Sequence, residues 1–115
     1  MSPDKSLQSG STAMLLLKLL SEQDMYGYQM TETLARRSDQ TFLLKAGTLY
    51  PLLHQLEAQG YVVSYEQAAD GARVRKYYHI TKDGLRHLAK KQDEWSRFTH
   101  AVNHVLKGGE CHGTL

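Results

Sequence analysis

KAGTLYPLLHQLEAQG, residues 45–60, sets Leu49, Leu52, Leu53 and Leu56 at helical spacing. One face of this helix is therefore apolar and has to pack on a core. The other face stays free. Its leading end carries Lys45, Thr48 and Tyr50, with His54 and Gln55 a turn further on. All five can donate hydrogen bonds to phosphates or base edges. Gly60 ends the helix, and two β-rich runs follow at once, joined by the Asp70-Gly71 turn signal with Arg73 just beyond it. An apolar-backed helix with a polar leading end, followed directly by a basic hairpin, is the order a winged helix-turn-helix needs. Pro51 bears on where the helix starts. A proline costs nothing in a first turn, which favours a start near Thr48, whereas a start at Ala46 requires a local bend; both stay open.

Upstream, the pattern predicts a supporting helix from about Tyr26 to Arg37 or Ser38. Its inward face would hold Tyr28, Thr31, Leu34 and Ala35, and Arg36 and Arg37 oppose the helix dipole in the last turn. Residues Asp39 to Leu44 make a link longer than the tightest helix-turn-helix connection. A first helix capped by Ser11 or Thr12 would bury Leu15, Leu16, Leu19 and Leu20. Its leucine content exceeds what one packed side uses, leaving Met14 or Leu17 for a second subunit. Residues 1–10 are polar and aperiodic, an expected flexible arm.

Downstream, YVVSYEQ and RVRKYYHI have strand composition. In the second run Val74, Lys76, Tyr78 and Ile80 share one side and Arg73, Arg75, Tyr77 and His79 the other, so one of the adjacent tyrosines must face inward. The AADGA tip is small enough to approach a groove. Arg73, Arg75 and Lys76 beside it suit phosphate contact, or alternatively guard an edge strand against aggregation. Thr81 can cap a final helix over residues 82–107, and the domain boundaries follow: an arm to residue 10, a DNA-binding unit over 11–81, the long helix, and a glycine-rich tail over 108–115. Leu85, Leu88, Gln92, Trp95, Thr99, Val102 and Leu106 form a heptad seam. At about 40 Å such a helix outruns a domain of this size and calls for a partner helix. The expected class is mainly α with a small β-hairpin.

Composition narrows function. With 115 residues and 41% apolar content the chain fits one small domain, and its net charge of +2 is weak support for a polyanion partner until the clustering on the hairpin is considered. Cys111 is the only cysteine, which excludes an internal disulfide and suits a reducing compartment. The apolar run from Ala13 to Leu20 is broken by Lys18 and too short to span a bilayer, so a cytoplasmic location is expected. No nucleophile elbow, glycine-rich phosphate loop or catalytic carboxylate pair occurs, so neither an enzyme nor a bound cofactor is expected. His100 and His104 stand one turn apart, as a metal pair can, but both point outward on the heptad count and lack completing ligands; Cys111-His112 is no better placed.

The YGY at Tyr26 to Tyr28, the GTLYPLLHQLEAQGYV run from Gly47 to Val62 and the RKYYHITKDG run from Arg75 to Gly84 together resemble the PadR-like family of bacterial transcriptional regulators. The resemblance covers roughly Leu15 to Leu106, and the single terminal helix looks like the subfamily with the smaller dimerisation unit. It implies a homodimeric winged-helix protein that binds near-palindromic operators, usually as a repressor. It also implies that Tyr50 contacts a DNA phosphate, with Lys45 and Thr48 at the groove-facing end of the reader. Some members of that family carry a tryptophan where Trp95 stands and sandwich flat aromatic ligands between two copies. Trp95 beside Gln92 is therefore either dimer core or an effector site. Two other functions stay in view: a winged helix that docks a protein, and a metal sensor built on the histidine pair.

Overall fold

A computed structural model describes residues 5–108, with side chains from residue 10. The element order is α1 (Lys5–Glu22), β1 (Met25–Tyr26), α2 (Gly27–Arg37), α3 (Ala46–Ala58), β2 (Val62–Ala68), β3 (Val74–Ile80) and α4 (Lys82–Leu106). This is a mainly helical winged helix with a long C-terminal helix. The expectations for residues 1–4 and for the tail beyond Gly108, including Cys111, lie outside the described residues.

The leucine face of α3 packs as its spacing requires: Leu49, Leu53 and Leu56 are buried and Leu52 is partly so. The helix starts at Ala46, leaving Pro51 in its interior. Three buried leucines contribute about 6 kcal/mol, roughly twice the ~3 kcal/mol an interior proline costs, so packing decides the outcome. Gly47, whose carbonyl loses the proline's missing N–H, is exposed to water. Between α2 and α3 the chain is held by Ser38, whose hydroxyl donates to the Leu34 carbonyl at 2.7 Å and accepts from the Phe42 N–H at 3.0 Å. Asp39 and Gln40 there take left-handed conformations, φ 54° and 67°.

Several local expectations are corrected. The inward face of α2 is Gly27, Met30 and Leu34 rather than Tyr28 and Thr31. Tyr28 is 64% exposed, and the Thr31 hydroxyl bonds back to the Tyr28 carbonyl. α1 begins at Lys5, so Ser11 and Thr12 lie inside it and not at its N-cap. Its interior Gly10 costs only about 1 kcal/mol, too little to stop a helix anchored by four buried leucines. One of those is Leu17, 1% exposed, which is thereby unavailable to a second subunit. Leu88 of the proposed seam is likewise core, 5% exposed.

The hairpin gains a third strand. Met25 and Tyr26 pair antiparallel with Tyr78 and Tyr77, giving the order β1-β3-β2 with β3 central. Val62 pairs with Ile80 and Ala68 with Val74, so the register puts Val62, Tyr78 and Ile80 on the core face. Tyr78 is thus the inward tyrosine of the pair.

α4 is capped by Thr81, whose hydroxyl accepts from the Gly84 N–H at 3.0 Å and donates to the Gly60 carbonyl at 2.7 Å. A Cβ on Gly84 would stand 2.1 Å from the Tyr61 carbonyl oxygen, so only glycine lets the helix root sit this close. Beyond Leu88 the helix leaves the sheet, and its residues are exposed through residue 98. The molecule accordingly measures 67 × 31 × 22 Å.

Candidate nucleic-acid interface

α3 presents its polar side to solvent. Lys45 is the N-cap, and its carbonyl accepts from the N–H groups of Thr48 and Leu49, both at 2.9 Å. Lys45, Thr48, His54 and Gln55 are all exposed. No acid occurs between Asp39 and Glu57. Glu57 itself is occupied, accepting from the Ser64 hydroxyl at 2.9 Å. Lys45 and the leading amides of the helix therefore favour an anion at this end.

Tyr50 is placed differently. It is 39% exposed, and its ring lies against the start of α2, beside a cleft of about 350 Å³ lined also by Tyr28, Thr31 and Leu44. The hydroxyl end rests on Gly27. Sequence reasoning grouped Gly27 with a motif without seeing this contact, which joins residues of two different helices.

On the wing, Ala69 donates to the Arg73 carbonyl at 2.9 Å and Gly71 takes φ 66°, closing the tip. The three cations separate. Arg73 is exposed at the tip. Lys76 is on the core-facing side of β3, the side on which α3 packs, with its Nζ 5.7 Å from the Tyr78 ring. Arg75 is on the opposite face, its guanidinium 4.4 Å from the centre of the Tyr26 ring. Arg75 thus spends its planar cation on the sheet.

That outer face carries a row of tyrosines across all three strands. Tyr26 and Tyr77 meet edge to face at 5.4 Å, and Tyr77 stacks on Tyr65 at 5.7 Å. At the base, Asp24 accepts from the Tyr65 hydroxyl at 2.7 Å and bonds His79 Nδ1 at 2.8 Å. Burial pushes the Asp24 carboxyl up, but the bonds from Tyr65 and His79 outweigh it and hold the group below its usual range. The wing is therefore tied to the residues that lead into α2. Asp24 carried no periodic or motif signal, and strand alternation placed His79 on this face without indicating its partner.

Around the proposed seam, Leu85, Gln92, Trp95 and Leu106 are exposed and Thr99 and Val102 half-buried. Phe98 and Val105, absent from the heptad, add exposed apolar surface. Trp95 is 44% exposed and lies 5.9 Å from Phe98. Both line a cleft of about 280 Å³ with Lys91 and Glu94, against Met14, Ser11 and Gly10 of α1. Gln92 does not line it. Among the described residues no group of three metal-ligating side chains occurs, although the rings of His100 and His104 stack at 6.4 Å. No described helix is long and apolar enough to cross a membrane.

Residues 16–90 match the model of the transcriptional regulator PadR-like family. The chain is 36% identical to a PadR family transcriptional regulator from Eggerthella lenta DSM 2243; the match covers 88% of this chain and 86% of that one, with a TM-score of 0.77. A PadR-like transcriptional regulator from Bacillus cereus strain ATCC 14579 is 27% identical over 96% of this chain and 100% of its own, with a TM-score of 0.78. Transcriptional regulator Rv3488 of Mycobacterium tuberculosis is 29% identical over 108 residues, 94% of each chain.

Proposed function

We propose that this chain, which belongs to the transcriptional regulator PadR-like family, acts as a homodimeric repressor that binds a palindromic operator in the cytoplasm and is released by a small planar ligand. The observation that carries the DNA reading is the exposed, acid-free leading end of α3 with Lys76 of the wing on the same side. α3 enters the major groove and offers Lys45, Thr48, Tyr50 and His54; Arg73 and Lys76 hold flanking phosphates. If Lys45, Arg73 and Lys76 of both copies each neutralise a phosphate, the affinity for duplex DNA falls with log salt at a slope of about −5. Lys45→Ala then removes about two from that slope. A flat salt dependence refutes the reading and favours a winged helix that docks a protein.

Dimerisation is supported by α4. A helix projecting beyond the domain with Trp95, Phe98, Val105 and Leu106 exposed needs cover, and a second α4 supplies matching apolar surface through Leu85, Trp95, Val102 and Leu106. Sedimentation that gives a lone monomer at micromolar concentration overturns this. The cleft on Trp95 supports the ligand. A wall of Trp95 and Phe98 beside Met14 gains affinity for a flat molecule by stacking, and Ser11, Lys91 and Glu94 add polar lining. Planar dyes quench Trp95 fluorescence on this account, and a broad panel without quenching removes the effector.

A further inference from the structure

We infer that Gly27 is a positioning residue for Tyr50: its missing side chain is the seat that fixes where the Tyr50 hydroxyl stands relative to the axis of α3. This rests on the proposal that Tyr50 meets the DNA backbone. A Cβ at position 27 would lie 2.3 Å from Tyr50 Oη, 2.9 Å from Cζ and 3.3 Å from Leu49 Cδ2. The first two distances admit no atom. Gly27 is outside the left-handed region, so its backbone makes no demand for glycine, and the requirement comes chiefly from Tyr50, with Leu49 Cδ2 a lesser crowding.

The neighbours determine how a Cβ would be absorbed. Leu49, the residue before Tyr50, is 1% exposed and locked in the core, so α3 cannot roll away. Gly27 is itself buried, and the preceding Tyr26 is held in the sheet opposite Tyr77, so α2 cannot retreat. The half-exposed Tyr50 ring is the free part, and its hydroxyl end must move by about an ångström or more to reach ordinary contact distance from the added Cβ. An O–H···O bond forms only over donor–acceptor distances of about 2.5–3.0 Å, so a hydroxyl displaced by about an ångström leaves a partner it was placed to meet. Gly27 thus acts on DNA through Tyr50 without touching it.

The test is a double-mutant cycle on the full chain with Gly27→Ala, Tyr50→Ala and the pair. Two measurements are made: the thermal midpoint, and anisotropy of a labelled mixed-sequence duplex at low salt. Each single change weakens binding about tenfold, and the pair binds no more weakly than Tyr50→Ala, because the Cβ has nothing left to displace. The midpoint lowered by Gly27→Ala recovers in the pair. Losses that multiply to about a hundredfold, or a Gly27→Ala protein that binds as the parent while Tyr50→Ala is weak, overturn the inference. Should Tyr50→Ala bind as the parent, the role of Tyr50 at DNA falls, and the seat is judged by the midpoint cycle alone. If Gly27→Ala does not fold, a folded pair supports the seat and an unfolded pair sinks it.

Discussion

Substituting Gly84 by alanine probes how α4 is rooted. The added Cβ would meet the Tyr61 carbonyl oxygen at 2.1 Å and Ile80 Cγ1 at 2.7 Å. Neither can move freely. The Tyr61 carbonyl accepts from the Thr81 N–H at 3.0 Å, and Ile80 is packed in the core at the end of β3. Overpacking of this kind costs about 1–3 kcal/mol, and because the nearest atom is backbone the upper half of that range applies. Alanine returns less than about 1 kcal/mol of helix propensity at this first-turn position, leaving a net loss of about 2 kcal/mol. For a domain of this size that lowers the midpoint by about 8 °C, read by circular dichroism at one fixed protein concentration. Gly10→Ala is the matched control. Nothing lies within 4 Å of its Cβ in α1, so propensity acts alone and the midpoint rises by a few degrees. A Gly84→Ala midpoint at or above the parent's would refute the steric reasoning.

Two further outcomes follow from other sites. His87 stacks on Tyr61 at 4.2 Å, and burial, then Lys91 and Lys90, hold its imidazolium below the usual value of 6.5. A depressed histidine favours the folded state while neutral, so its contribution is complete above about pH 6.5 and is lost as the pH falls through the folded value. The midpoint difference between about pH 7.5 and pH 5.5 should shrink in His87→Phe, and an unchanged difference contradicts the assignment. Gln40 sits at φ 67°, a conformation that strains a side-chain-bearing residue; Gln40→Gly relieves about 1 kcal/mol of it, less what the freer unfolded chain takes back. A small rise in the denaturant midpoint is expected, and a fall would show that the Gln40 side chain holds the loop.

Most of the architecture was legible because period and punctuation agree. The leucines of residues 49–56, the Asp70-Gly71 turn and the Thr81 cap each signal one element, and the structure has all three. What escaped depends on distant partners. Met25 and Tyr26 form a strand only because β3 offers a free edge, and two residues are too few for alternation to register. Leu88 obeys the same heptad as Leu85, yet one is core and the other exposed, since spacing cannot say which side of the helix root the domain covers. The polar end of α3 was readable as a surface. The separation of Arg75 from Lys76 followed from strand alternation, but the destination of Arg75, over Tyr26, required the unforeseen strand. Gly27 could be read as a motif letter and not as a space, because the atom that fills the space belongs to another helix.

The stretch of α4 past Leu88 runs 18 residues to Leu106, about 27 Å of stiff rod that meets α1 at Trp95 and Phe98. Geometry makes such a rod an amplifier. A tilt of about 5° at the Gly84 footing, where clearance is already exhausted, sweeps the far tip through about 3 Å. Anything that grips the tip therefore senses crowding at the footing magnified, and a push delivered at the tip reaches the three-stranded sheet with the same mechanical advantage reversed.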